Sequence, residues 1–216
     1  MTKGSWLRSK NRIEALSDGI YAIAVTLPVL TLDIGELPSI ASESGFVNAL
    51  LSFTPQVLHY LIAFFILVIF WMVNHKQLDL MTHVDSVFSW LTMIGLFFVA
   101  MIPFTTGLVG IYGQYPEANA IFAANLMMIG LFITASWTYA TGEHRLIKKD
   151  YPEIHIRYGI YRSLIIPSIS ALIIVCSMIF GMVHLSWLYL LSPLGKVLLN
   201  NDMKKRHHDF VPDRDT

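Results

Sequence analysis

Hydrophobic residues along this chain of 216 residues form long runs, and charged and turn residues are confined to the shorter stretches between them. An apolar run of about 20 residues is long enough for an α-helix to cross the hydrocarbon core of a bilayer. We therefore predict an all-α membrane protein with six transmembrane helices, in which the whole chain forms one domain. The predicted spans are residues 13–34, 54–75, 86–109, 117–141, 160–182 and 185–200, and a polar tail follows at 201–216.

Composition agrees with a membrane protein and excludes several other classes. Hydrophobic residues make up 55% of the chain and charged residues only 14%, whereas soluble domains carry about 25% charged residues. The formal net charge is zero, so no overall positive field attracts nucleic acid, and we expect no nucleic-acid partner. A single cysteine, Cys176, excludes an internal disulfide.

The positions of the basic residues indicate the orientation of the spans. The connections after the first, third and fifth spans contain no lysine or arginine, whereas both chain ends and the other two connections do. Connections rich in lysine and arginine remain in the cytoplasm. We therefore predict that the N and C termini are both cytoplasmic.

The first span carries an apolar stripe along one side. In a projection at about 100° per residue, Ile23, Leu27 and Leu30 fall on this stripe and Thr26 lies at its edge. Such a stripe in a membrane helix usually marks packing or lipid contact, so by itself it does not indicate a pore. Asn11 and Glu14 have the spacing of a capping box, which predicts that the helix begins near Arg12.

Asp18 lies close to the start of the same span. A carboxylate near the membrane is costly unless it is paired or hydrated. Two interpretations are open at this point. Asp18 is either an interfacial residue that reaches towards water or a packing anchor that holds the first helix through buried hydrogen bonds.

The stretch Arg12-Ile-Glu-Ala-Leu-Ser17-Asp18-Gly19 resembles the Arg-x-x-x-Phe-Ser-Asp signature of the transmembrane protein 175 potassium channels. The resemblance extends to Trp71-Met-Val-Asn74-His75 at the end of the second span. The span count and orientation are similar to those of the prokaryotic members. Leu16 stands where the family usually has phenylalanine, which removes ring packing at that position.

The resemblance implies a potassium-selective channel that forms a cyclic homotetramer, with helix 1 lining a central pore. Carried over, Ile23 would form the narrowest ring, with Leu27 and Leu30 above it, and Thr26 would offer a hydroxyl beside the constriction. A polar network would fix the pore helix to its neighbours. Its members would be Arg12, Ser17, Asp18, Trp71, Asn74 and His75.

The resemblance also implies a location and a set of partners. The protein would be a multi-pass component of the cell membrane, the prokaryotic inner membrane. Its partners would be further copies of itself, membrane lipids and monovalent cations. Potassium would be the permeant ion, with no bound cofactor.

Pro28 interrupts the first span. Proline has no amide hydrogen and frees the carbonyl four residues earlier, that of Ala24. In a membrane this carbonyl needs another partner. We hypothesise that Pro28 shapes the constriction or its gating.

Other classes of function have less support. No pair of carboxylates lies within the apolar runs, and no nucleophile–base spacing or phosphate loop is present, so we expect no enzymatic activity. The spacings of the eight histidines match no zinc motif, and we predict no metal site. A cation-coupled secondary transporter and a non-conducting membrane scaffold remain as alternatives to the channel.

Overall fold

The computed structural model describes residues 10–32, 47–48, 51, 54–183, 185–192 and 195. These residues are almost entirely helical, which confirms the all-α prediction. The α-helices are α1 (Lys10–Thr26), α2 (Thr54–Leu80), α3 (Ser86–Ala100), α4 (Ile102–Tyr112), α5 (Pro116–Thr141) and α6 (Glu153–Phe180). Three 3₁₀ segments cover Leu27–Thr31, Gly142–His144 and Leu185–Leu191.

Among the described residues, five helical segments are long and apolar enough to cross a membrane. They are Lys10–Leu30, Thr54–Leu80, Ser86–Tyr112, Pro116–His144 and Glu153–Phe180, and they correspond to the first five predicted spans. The sixth predicted span is 3₁₀-helical over Leu185–Leu191. Its residues 193–194 and 196–200, the tail at 201–216 and residues 33–34 of the first span lie outside the described part of the chain.

The boundaries of the spans differ from the prediction where polar residues continue a helix. α2 runs on to Leu80, and α6 begins at Glu153, seven residues before the predicted start. An apolar run reports the length inside the bilayer, whereas a helix continues into water wherever its side chains find contacts. Gln77 and Leu78 make such contacts at the end of α2, where both side chains are buried.

The capping prediction at the start of the chain was wrong. Asn11 lies inside α1, which includes Lys10. Glu14 therefore does not close a capping box with Asn11, and it faces another helix, as described below.

Prolines at two places explain breaks or close contacts in the bundle. α3 ends at Ala100 and α4 begins at Ile102, with Pro103 in the first turn of α4, because proline removes one helical hydrogen bond and opposes the preceding turn. Pro167 lies inside α6 and packs against α5. A Cβ atom added to Gly130 would lie 2.5 Å from Pro167 Cγ, so glycine permits this close approach.

α5 is the central helix of the bundle and packs most extensively against α6. In the most apolar stretch of α5, 18 residues long, 61% is buried, compared with 28% in the corresponding stretch of the segment that contains α1. Hydrogen bonds join it to its neighbours: Thr134 Oγ1 donates to Ser163 Oγ at 2.9 Å, and Asn125 Nδ2 donates to Thr105 Oγ1 at 3.3 Å. Small hydroxyl-bearing residues at such interfaces let helices approach closely inside a membrane. α1, by contrast, lies at the periphery of the subunit.

Candidate functional site

α1 has two different faces. Ile13, Tyr21 and Ala24 are buried against the rest of the subunit, together with Ser17. The opposite face is exposed, and the predicted stripe lies on it. Ile23 is 58% exposed, Leu27 40% and Leu30 76%. Within one subunit, therefore, the described residues cover this apolar stripe only in part.

Thr26 lies at the edge of the stripe, as predicted, and it is exposed. Its hydroxyl donates to the carbonyl oxygens of Ala22 and Ile23, each at 3.1 Å. Because the hydroxyl proton is directed back to the helix, the oxygen lone pairs remain available as acceptors. Thr26 is thus oriented to receive a donor or a cation.

The helix changes its geometry just before Pro28. The α-helix ends at Thr26, and a 3₁₀ segment follows over Leu27–Thr31, with Pro28 at its second position. Side chains three residues apart eclipse each other in a 3₁₀-helix. Leu27 and Leu30 therefore lie one above the other on the exposed face, a line that the projection at 100° per residue did not anticipate.

A hydrogen bond ties α1 to α2 near the predicted network. Trp71 Nε1 donates to Asp18 Oδ1 at 2.8 Å. The same two side chains help to line a cavity of about 360 Å³ between the helices. The arrangement favours the anchor interpretation of Asp18, because the carboxylate has a specific donor on the neighbouring helix.

His75 lies one turn after Trp71, towards the end of α2, and contacts it. Its ring stacks on Trp71, with centroids 5.6 Å apart and planes inclined by 22°. Its Nδ1 lies 3.7 Å from a carboxylate oxygen of Glu14, and its Nε2 lies 3.6 Å from one of Asp79. Asp18, Trp71 and His75 are therefore brought together in the structure.

The other three predicted network residues are placed differently. The Arg12 side chain is exposed and makes no hydrogen bond or ion pair with any described residue. Ser17 is fully buried, and its hydroxyl has no hydrogen-bond partner among the described residues. Asn74 is buried beside Tyr21 at a cavity of about 10 Å³, which is room for about one water molecule.

Two residues that lie beside His75, Glu14 and Asp79, were missed by the sequence prediction. Glu14 lies one helical turn before Asp18, and Asp79 one turn after His75. Residues four apart share a helix face, so the spacing was a usable signal on each helix separately. The sequence pattern does not contain the rotation that brings the two faces together.

Comparisons with known proteins identify the family. The family model described as endosomal/lysosomal potassium channel TMEM175 matches residues 12–103. A potassium channel of Chamaesiphon minutus is 32% identical over 148 residues, which cover 66% of this chain and 72% of that protein. A potassium channel of Streptomyces collinus is 30% identical over 139 residues, or 62% of this chain and 66% of that protein. The endosomal/lysosomal proton channel TMEM175 of Danio rerio is 29% identical over 70% of this chain, which spans only 30% of that protein.

Solved structures of the same group have the same fold. The crystal structure of a lysosomal potassium-selective channel TMEM175 homolog from Chamaesiphon minutus has a TM-score of 0.68 and 25% identity, covering 91% of this chain and 97% of that one. The crystal structure of a variant of the potassium channel MtTMEM175, in complex with a Nanobody-MBP fusion protein, has a TM-score of 0.59 over 92% of each chain. The second likeness, at 17% identity, concerns the fold alone.

Proposed function

Because this chain is a multi-pass membrane protein that belongs to the TMEM175 family, we propose that it is a potassium channel whose pore is lined by α1. The flux is passive, potassium is the permeant ion, and the chain performs no enzymatic reaction. The observation that carries the assignment of the pore helix is the exposed apolar stripe of Ile23, Leu27 and Leu30 on α1.

The pore requires several copies of the chain. α1 lies at the periphery of its subunit, and one helix provides only one wall of a channel. We propose a cyclic homotetramer of one-domain, six-span subunits, in which four copies of α1 surround the axis, because closed rotational symmetry places the same face of each copy inwards. Each position of the stripe then contributes four side chains to one layer.

The proposed constriction is hydrophobic. A narrow ring of four Ile23 side chains loses its water and blocks ions, and opening requires α1 to rotate or tilt so that the ring widens. Leu27 and Leu30 form the next layers. The lone pairs of Thr26 replace part of the water shell of a passing cation, and this provides weaker selectivity than stacked rings of carbonyl groups.

The bond from Trp71 to Asp18 holds α1 at a set rotation relative to α2. In this mechanism it acts at a distance from the ion path and sets the position of the ring. The stacked His75 supports the Trp71 side chain from the far side of the bond.

We propose that the channel lies in the cell membrane with both termini in the cytoplasm. The support is the distribution of lysine and arginine, which are missing from the connections after the first, third and fifth spans. The cluster around His75 then lies at the cytoplasmic end of the bundle. Membrane lipids contact the outward-facing apolar residues of the other helices.

The test is ion flux through purified protein in liposomes. Under a potassium gradient we expect a current whose reversal potential follows that gradient, with a smaller shift under a matched sodium gradient. Saturable flux that requires a second ion would support a coupled transporter, and the absence of flux would support a scaffold; either result overturns the channel. A mass measurement of the detergent-solubilised protein tests the tetramer, and a monomer or dimer would contradict it.

A further inference from the structure

A histidine and two carboxylates from two helices meet at the end of α2. Glu14 comes from α1, and His75 and Asp79 come from successive turns of α2. One ligand atom from each of the three lies within 4.8 Å of the others. We propose that this cluster, the Glu14–His75–Asp79 site, binds a divalent transition-metal ion that joins α1 to α2.

Each carboxylate is too far from the His75 ring for a direct hydrogen bond. His75 Nδ1 is 3.7 Å from Glu14, and His75 Nε2 is 3.6 Å from Asp79. N–H···O hydrogen bonds are about 2.7–3.2 Å long. With metal–ligand bonds of about 2.0–2.2 Å, two ligands of one ion lie about 3–3.7 Å apart, so each pair has ligand spacing. The two pairs use different nitrogens of the ring, and an imidazole gives one nitrogen to one ion. One carboxylate therefore has to move closer to that nitrogen, from within 4.8 Å.

The His75 ring is held in place by stacking and not by a hydrogen bond from Nδ1. The ring stacks on Trp71 at a centroid distance of 5.6 Å. Its Nδ1 is buried, and it has no hydrogen-bond partner among the described residues. A buried nitrogen without a hydrogen-bond partner is costly. A metal ion bound to Nδ1 would supply that partner, and a ring flip would present Nε2 to the ion in its place.

The nearby lysine does not neutralise the carboxylates directly. Lys10 Nζ donates to the carbonyl oxygens of Asp79 and Met81, at 3.4 and 3.3 Å. The carboxylates of Glu14 and Asp79 face His75 instead, at 3.7 and 3.6 Å. The Asp79 side chain is 56% exposed. Its carboxylate therefore has room to move by the roughly 1 Å that is needed to bind the ion.

The donor set indicates the class of ion. One imidazole with two carboxylates suits Zn²⁺, Co²⁺ or Ni²⁺, whereas Mg²⁺ and Ca²⁺ prefer oxygen ligands alone. Water completes the coordination at the exposed side. Zinc motifs are recognised by spacing along one segment, so a site divided between Glu14 and the pair His75 and Asp79 was not visible in the sequence.

The experiment is calorimetric titration of Zn²⁺ into the full-length protein, solubilised in detergent and purified without a histidine tag. We expect one ion per subunit, undiminished by an excess of Mg²⁺. His75→Phe keeps an aromatic ring stacked on Trp71 but removes both ring nitrogens, and Asp79→Asn alters an exposed side chain. Each is expected to weaken binding at least about tenfold, with circular dichroism unchanged.

Matched controls separate this site from other histidines and carboxylates. His83→Ala removes an exposed histidine near the same end of the bundle, and Glu143→Gln neutralises an exposed carboxylate; both are expected to leave the affinity unchanged. The double substitution of His207 and His208 by alanine is also expected to have no effect. Full affinity in both His75→Phe and Asp79→Asn, loss of binding in the tail variant, or no binding by the unaltered protein would each overturn the proposal. Since the readout is metal binding, it does not depend on ion conduction.

Discussion

The Trp71 indole donates a hydrogen bond of 2.8 Å to the Asp18 carboxylate and so connects two helices across 53 positions of the sequence. This bond gives Asp18 a specific partner within a segment that is long and apolar enough to cross a membrane, where an unpaired carboxylate is costly. It also lies on the border between the covered and the uncovered faces of α1. Any change in the rotation of α1 therefore has to stretch or break it.

Trp71→Phe is expected to destabilise the protein. The substitution keeps an aromatic ring but removes the donor. Because the pair is partly exposed, the expected loss is about 1 kcal/mol, below the roughly 1.5–3 kcal/mol typical of a hydrogen bond to a charged group. Thermal unfolding in detergent should show a fall in Tm of about 2–4 °C. Trp90→Phe is the matched control, because Trp90 is 59% exposed. An equal fall in both variants would assign the effect to ring size and not to the bond.

Ile23→Asn is expected to increase leak current and reduce the preference for potassium over sodium. A ring of amides holds water where a ring of isoleucines excludes it, so the proposed hydrophobic barrier is lost. Single-channel or liposome flux recordings measure both quantities. Ile94→Asn makes the same change at another exposed isoleucine, on α3, and should leave selectivity as it was. Unchanged currents in Ile23→Asn would place the constriction elsewhere.

Thr26→Val is expected to lower potassium selectivity with little effect on stability. Valine has a similar shape but lacks the oxygen whose lone pairs face away from the helix. The hydrogen bonds lost are local ones, to Ala22 and Ile23. Thr138→Val is the control, since Thr138 also donates to a carbonyl one turn earlier, that of Thr134 at 2.8 Å. The reversal potential under mixed potassium and sodium should shift in the first variant and not in the second.

Pro28→Leu is expected to change both conductance and selectivity. Leucine restores an amide donor, which favours continuation of the α-helix through the present 3₁₀ segment at Leu27–Thr31. Because a 3₁₀-helix turns about 20° more per residue, Leu30 would rotate by about 80° about the helix axis. Val29→Leu adds volume at the next position and leaves the proline in place. Wild-type conductance in Pro28→Leu would show that the 3₁₀ segment does not shape the pore.

Much of the architecture was predictable because it depends on local properties of the chain. The length of each apolar run predicts a membrane helix, and the missing amide of Pro28 predicts an interruption of the first span. The resemblance around Arg12 and Asp18 predicted the family. The stripe of Ile23, Leu27 and Leu30 also followed from helical periodicity, although its exposure did not.

The remainder depends on how the helices are rotated and at what depth they meet. Lipid and neighbouring helices are both apolar surroundings, so a hydrophobic stripe on a membrane helix does not indicate whether lipid or a neighbour covers it. The sequence by itself therefore determined the helices, their approximate number and the candidate stripe. Only the tertiary structure decided that the stripe is left uncovered, that Asp18 pairs with Trp71, and that Glu14 meets His75 and Asp79. Each of these is a relation between two helices, and the period of either helix alone does not contain it.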